Sequence, residues 1–224
     1  PSLHGSQSIM SNGQSPTAAP EANDPQEKWV RAGWLIDGRG GPARKDCCLV
    51  LRAGRIHAVG PACEDHTPGV DLSHATVLPA LMDAHVHLVF SGTQDARLRK
   101  AQLAYTPDQV RATIRAHLEA HWHCGVAAVR DGGDRQGITL EFRQVDSDAT
   151  PAVMVKAAGQ AWHVQGRYGA MVAQAPPAGM APAQAVTPYL GRCDHLKLIQ
   201  SGLNSIDRFG HQGPPQFSQE ELTA

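Results

Sequence analysis

A chain of 224 residues that is 42% apolar can bury a real core as one large domain or two small ones, which excludes a wholly disordered chain. Its 20 basic and 21 acidic residues leave a formal net charge of -1 with no sustained run of either sign, a balance that points away from nucleic acid and anionic membranes and towards a small ligand. No stretch approaches the roughly 20 uninterrupted apolar residues that span a bilayer, and the first residues carry neither the basic region nor the apolar core of a secretion signal, so a cytoplasmic location is expected.

Residues 1–27 are rich in Ser, Pro, Gly, Asn and Gln and lack an apolar period, so burial there cannot offset the entropy of ordering. They read as a disordered tail or an expression leader ahead of Met10. From Lys28 the texture changes to short β-like runs between glycine turns, "KWVRAGWLIDG", "CCLVLRAGRIHAVG" and "ATVLP". Ala53-Gly54 between two apolar runs predicts a hairpin, and residues 28–78 form a small β domain in this reading. After it the pattern becomes strand then helix, repeated. "LPALMDAHVHLVF" (78–90) is a strand. It is followed by a helix in "TPDQVRATIRAHLEAHWHC", with Thr106 as N-cap, Pro107 at the first helical position, and Val110, Ile114 and Leu118 recurring every four residues.

"GVAAVRD" (125–131) is a second strand, "LEFRQVDSD" part of a second helix, "PAVMVKAAG" (151–159) a third strand and "DHLKLIQSG" (194–202) a fourth. Ser218 and Glu221 mark the start of a further helix. Alternating apolar strands and helices over residues 79–224 predict a parallel sheet with helices outside it, its fourth strand an edge that needs cover. The five cysteines, Cys47, Cys48, Cys63, Cys124 and Cys193, are odd in number and lack CxxC spacing, which predicts reduced, mostly buried thiols.

The chemistry-bearing residues are few. In a strand Asp83, His85 and His87 share one face, and two imidazoles near a strand end can reach one cation, each giving a nitrogen at roughly 2.0–2.1 Å to zinc. Asp83 could accept a ring N–H or fix the strand. Taken alone, such a pair reads first as a set of hydrogen-bonded core histidines. Lys197 is either a solvated strand-end lysine or an inward one that needs a charged partner. His163 follows the third strand, while Arg167 and Tyr168 beside it offer donors for a carboxylate. His121 and His123 repeat the spacing on a helix end, where positions two apart do not share a face, and are set aside. Arg130 and Asp131 are expected to pair with each other or with neighbours, and Cys47 and Cys48 to pack inside the β domain.

"LPALMDAHVHL" and "RAGRIHAVGP" resemble two motifs of the amidohydrolase superfamily: the first barrel strand "LPG-(Leu/Phe)-(Ile/Val)-D-x-H-x-H" and the "DG-(x)-I-x-x-V-G" of the β domain before it. "AGWLIDGRGGPARKDCCLVLRAGRIHAVG" is similar to the family's opening strands and "HCGVAAVRDGG" to its second barrel strand. "HLKLIQSGLNS" followed by "QFSQEELTA" is similar to the fourth strand and next helix of the imidazolonepropionase- and prolidase-like branch. The resemblance runs from about residue 29 to the last residue, and Ala80 stands where the family usually has Gly.

The resemblance implies an α/β fold: the N-terminal portion of a (β/α)8 TIM-like barrel, about four βα units over residues 79–224, preceded by a small β-sandwich domain. It also implies a metal site at the C-terminal ends of the strands, where barrel enzymes place their chemistry. His85 and His87 match the first two ligands, and Lys197 matches the lysine that is carbamylated in two-metal members and bridges two Zn2+. An ammonium has three donors and no lone pair, so it can ligate only after such a modification. His163 matches a histidine that polarises the substrate carbonyl.

The implied activity is hydrolysis of a small-molecule amide by a metal-held hydroxide. The family's remaining ligands, two histidines of strands 5 and 6 and an aspartate of strand 8, are not in the sequence, so a second polypeptide carrying the C-terminal half of the barrel is expected, within a higher oligomer. A mononuclear deaminase of the same superfamily, for which Lys197 would be surplus, and a non-enzymatic interaction module remain open at this point.

Overall fold

The computed structural model describes residues 27–61, 69–145, 153–200 and 213–223. The expected tail lies outside these residues except for Glu27, which the structure does not leave in a tail: its carboxylate meets Arg52 Nε at 2.5 Å. The chain divides into two compact units between Pro79 and Ala80.

In the first unit, β1 (Lys28–Leu35), β2 (Arg44–Arg52), β3 (Arg55–Pro61) and β4 (Val70–Val77) form one sheet in the order β3-β2-β1-β4. The β1–β2 and β2–β3 pairs are antiparallel and β1–β4 is parallel. The expected hairpin joins β2 to β3: Arg52 faces Arg55, and Ala53 and Gly54 between them have φ of 48° and 71°. Two left-handed residues in succession give the turn twist that matches the strands. Ala32, Leu35, Cys47 and Leu49 form the core of this unit. The described residues supply one sheet layer, not two. Cys48 is disulfide-bonded, which corrects the expectation of five reduced thiols; Cys47, Cys124 and Cys193 are free, with Cys124 exposed.

In the second unit β5 (Leu81–Val86), β6 (Val126–Asp131) and β7 (Met154–Ala157) form a parallel three-stranded sheet. Around it lie α1 (Ala96–Gln102), α2 (Pro107–His123), α3 (Ile138–Val145), α4 (Pro182–Val186) and α5 (Gln219–Thr223). The sequence signals for α2 hold: Thr106 and Gln109 exchange capping-box bonds of 3.4 and 2.9 Å, and Val110, Ile114 and Leu118 are buried. They pack with Leu88, Val129, Phe142 and Val153 in one cluster. Ile114 is fully buried, so Ile114→Ala is expected to cost about 2–5 kcal/mol in denaturant unfolding, the range for truncating an aliphatic side chain in a close-packed core.

α1 has no apolar period to announce it and starts on the Asp95 cap. α3 begins before the expected segment because Asp134, buried, accepts from the N–H groups of Gln136, Ile138 and Thr139 at 2.9–3.1 Å. The capping box at Ser218 and Glu221 opens α5 as expected.

The fourth strand departs from expectation. Among the described residues of the expected 194–202 strand only Lys197–Leu198 is strand (β9), residues 201 and 202 lying outside them, and it pairs in parallel with Ala161–Trp162 (β8) in a separate ladder. The cause is Asp194. Its backbone N–H donates to the Ala157 carbonyl at 3.0 Å, while its side chain accepts from the Ala157 N–H at 2.9 Å. A carboxylate thus occupies the ladder position of a backbone carbonyl and stops regular pairing with β7. Arg143 and Lys156 also donate to it. Burial pushes this carboxyl up, but the bonds from Ala157, Lys156 and Arg143 outweigh it and hold it below the usual carboxylate range. No helix among the described residues is long and apolar enough to cross a membrane.

Candidate metal centre

The β5–β6 register shifts between Asp83 and Val86, and His85 and His87 bracket the end of that irregular stretch. Their ring centroids lie 5.5 Å apart at an interplanar angle of 56°. Asp83 takes the second of its expected roles, accepting the His85 backbone N–H at 3.0 Å. His87 Nδ1 sits 2.8 Å from the Gly133 carbonyl. That nitrogen must donate, which leaves Nε2 with the lone pair a metal ligand needs.

Lys197 Nζ lies 3.3 Å from His85 Nε2, so residues 112 apart in sequence meet at one point. The charge of Lys197, then desolvation, lowers the His85 pKa; desolvation is the largest cause lowering that of His87. Both shifts favour neutral imidazoles, the ligating form.

Gly132 makes the room between the rings. It is buried, and a Cβ there would lie 2.8 Å from His87 Cε1, 3.0 Å from His87 Nε2 and 3.3 Å from His85 Cδ2. Beneath it Asp131 is fully buried, its two oxygens accepting from the Leu88 and Gly133 N–H groups at 2.9 and 2.8 Å. It pairs with neighbours as expected, but with backbone donors and not with Arg130. An open cleft of about 270 Å3 joins His85, Arg130, Gly132, His195 and Lys197. His195, two residues before Lys197, was not singled out from sequence; its Nε2 donates to the Asp131 carbonyl at 3.1 Å.

The other candidates lie elsewhere. His163 is buried and lines a separate cavity with Arg135 and Arg167. Tyr168 beside it is exposed. His121 Nδ1 bonds to the His117 carbonyl at 2.7 Å within α2, a contact internal to the helix. Among the described residues no group of three His, Cys, Asp or Glu is gathered to hold a metal. The corner offers two imidazoles and, if modified, a lysine. That donor chemistry fits a divalent cation but stops short of the four ligands usual for zinc.

Parallel strands with helices packed on them, and a polar corner at their C-terminal ends, give an α/β protein built of the units from which β/α barrels are made. No protein-family model matches the chain. A 114-residue stretch is 31% identical to an imidazolonepropionase of Pseudomonas aeruginosa, covering 44% of this chain and 28% of that protein. A stretch of 101 residues is 32% identical to an imidazolonepropionase of Solibacter usitatus, covering 37% of this chain and 24% of that protein. In fold, the chain is similar to a solved Xaa-Pro dipeptidase with bound methionine, at a TM-score of 0.68 and 22% identity, over 88% of this chain and 52% of that one. These partial likenesses support the amidohydrolase superfamily, to the N-terminal portion of whose members the chain is similar. It spans about half the length of the solved relative, and its match covers about a quarter of the curated ones.

Proposed function

We propose that this chain supplies the N-terminal half of a metal-dependent amidohydrolase acting on a small amide: a dipeptide, an N-acyl amino acid or a cyclic amide. The observation that carries this is the meeting of His85, His87 and Lys197 around Gly132, with Lys197 Nζ 3.3 Å from His85 Nε2. The imidazolonepropionase and Xaa-Pro dipeptidase likenesses support an amide as substrate. His85 and His87 would hold one Zn2+, and carbamylated Lys197 would bridge to a second. Cations bound there supply carbonyl polarisation and a nucleophile at neutral pH.

The chain's own groups do the rest. Gly133 fixes the His87 tautomer, Gly132 keeps the two rings in reach of one point, and His163 orients the substrate carbonyl. Lys197 becomes an anionic ligand when its neutral amine bonds to CO2 carbon and releases a proton to water.

The remaining ligands come, in this reading, from a second polypeptide carrying the other half of the barrel. That polypeptide would also complete the β-sandwich and the higher oligomer. Leu81, Met82 and Met154 on the open strands are 53%, 77% and 61% exposed, apolar surface that such a partner would cover. A cytoplasmic setting completes the reading against the Cys48 disulfide, a bond that oxidising compartments favour.

Zinc titration of the chain with and without bicarbonate tests the site. His85→Ala is expected to weaken uptake by at least about 100-fold, the upper end of what losing even a supporting contact costs. Lys197→Ala is expected to abolish the bicarbonate dependence. Parent-like zinc binding in both variants would sink the proposal. With the completing half added, cleavage of dipeptides or N-acyl amino acids is the activity to score.

A further inference from the structure

The cavity beside His163 has a character that the metal corner does not explain. It measures about 570 Å3, room for a small molecule. Its lining residues include two arginines, Arg135 and Arg167, and no Asp or Glu. Arg167 Nη2 donates to the Pro214 carbonyl at 2.6 Å, which aims the fork without compensating its charge, and neither arginine has an ion-pair partner among the described residues. His163 is only 4% exposed, yet its Nδ1 has no hydrogen-bond partner. A buried polar atom left in that state costs about 1–3 kcal/mol unless a ligand or water takes it.

The wall is built, not incidental. Buried Gln216 accepts the Val164 N–H at 3.0 Å and donates to the Tyr168 carbonyl at 2.9 Å, clamping the loop that carries Arg167. Across the cavity the backbone of Gln174 accepts from His163 N–H at 3.0 Å and donates to the Ala161 carbonyl at 2.8 Å. Gln165 and Gln174 also line the space and add neutral donors and acceptors suited to an amide.

We infer that this cavity is a carboxylate subsite: Arg135 and Arg167 take the carboxylate of a small amide-bearing acid, and His163 Nδ1 meets the ligand's amide. The planar fork of arginine matches a carboxylate bidentately. The inference narrows the substrate class proposed above to anionic amides such as N-acyl amino acids, and it rests on that reading for catalysis but not for binding.

Calorimetric titration of the 224-residue chain with N-acetylglycine and with uncharged N-acetylglycinamide tests it. N-acetylglycine should bind at least tenfold more tightly and weaken with salt. Arg135→Ala and Arg167→Ala should each lower its affinity tenfold or more while leaving the amide's unchanged. If Arg167→Ala does not fold, Arg167→Lys, which keeps charge but loses the fork, should bind with intermediate affinity. Equal affinity for the two probes, parent-like binding in the arginine variants, or tighter binding of inorganic phosphate would overturn the inference. His85→Ala separates the two readings: it should lose zinc yet bind N-acetylglycine like the parent, so a failure of the metal site leaves the subsite standing and the converse.

Discussion

Gly132→Ala is expected to leave the chain folded and to weaken zinc uptake by about 100-fold. The φ of Gly132 lies outside the left-handed region, so alanine costs nothing in backbone strain. The added methyl carbon would sit 2.8 Å from His87 Cε1, closer than side-chain carbons approach, and 3.3 Å from His85 Cδ2, tighter than most contacts. These are the far ends of side chains that can swing, which keeps the effect on folding small. A metal held as proposed would not tolerate that swing, since ligand distances hold to about 0.2 Å, and the swing also breaks the His87 bond to Gly133 that fixes the tautomer.

A competition titration against a chromophoric chelator reads the affinity, with thermal unfolding as the folding control. Gly54→Ala is the contrasting variant. Its φ of 71° makes alanine strained although no atom lies within 4 Å, so it should lose about 1 kcal/mol of stability and keep zinc binding intact. Parent-like affinity in Gly132→Ala would remove Gly132, and the ring geometry it permits, from the account.

What could be read in advance divides by range. The capping box of Thr106 and Gln109, the four-residue recurrence of Val110, Ile114 and Leu118, and the Ala53-Gly54 turn act over a few residues, and each formed where its pattern placed it. The spacing of His85 and His87 predicts that the two rings lie near each other, and their centroids are 5.5 Å apart. What sequence did not reveal depends on groups far apart in the chain.

Asp194 reads as the polar first residue of an apolar strand, and only its meeting with Ala157, Lys156 and Arg143 shows why two described residues of that strand alone are strand. Gly132 has no local signal either, because its role is the space it leaves for two rings from another strand. His195 escaped notice because its bond to the Asp131 carbonyl spans 64 positions. The pairing of β8 with β9 is non-local in the same way.

Asp131→Ala is expected to destabilise the chain by about 2–4 kcal/mol at pH 5, because it orphans two buried N–H donors, of Leu88 and Gly133. The pH dependence follows from the same carboxyl. Burial pushes its pKa up to about 6 from 3.8, against the pull of those two N–H groups. Between these values the folded chain binds more protons than the unfolded one, so the contribution is fully present below about pH 4 and is lost as pH rises through about 6. The loss amounts to at most about 3 kcal/mol.

Urea unfolding of the parent from pH 4 to 8 should therefore show this decline. Asp131→Asn, which cannot ionise and keeps one acceptor, should flatten it at a cost of about 1–2 kcal/mol. A decline that persists in Asp131→Asn assigns the titration to another group. Leu88 directly follows His87, and Gly133 carries the carbonyl that receives His87 Nδ1, so one carboxylate holds the strand and the turn on either side of that imidazole. Asp131→Asn, folded but holding only one of the two, should then bind zinc more weakly than its stability loss alone explains. Zinc affinity that follows stability alone would limit Asp131 to folding.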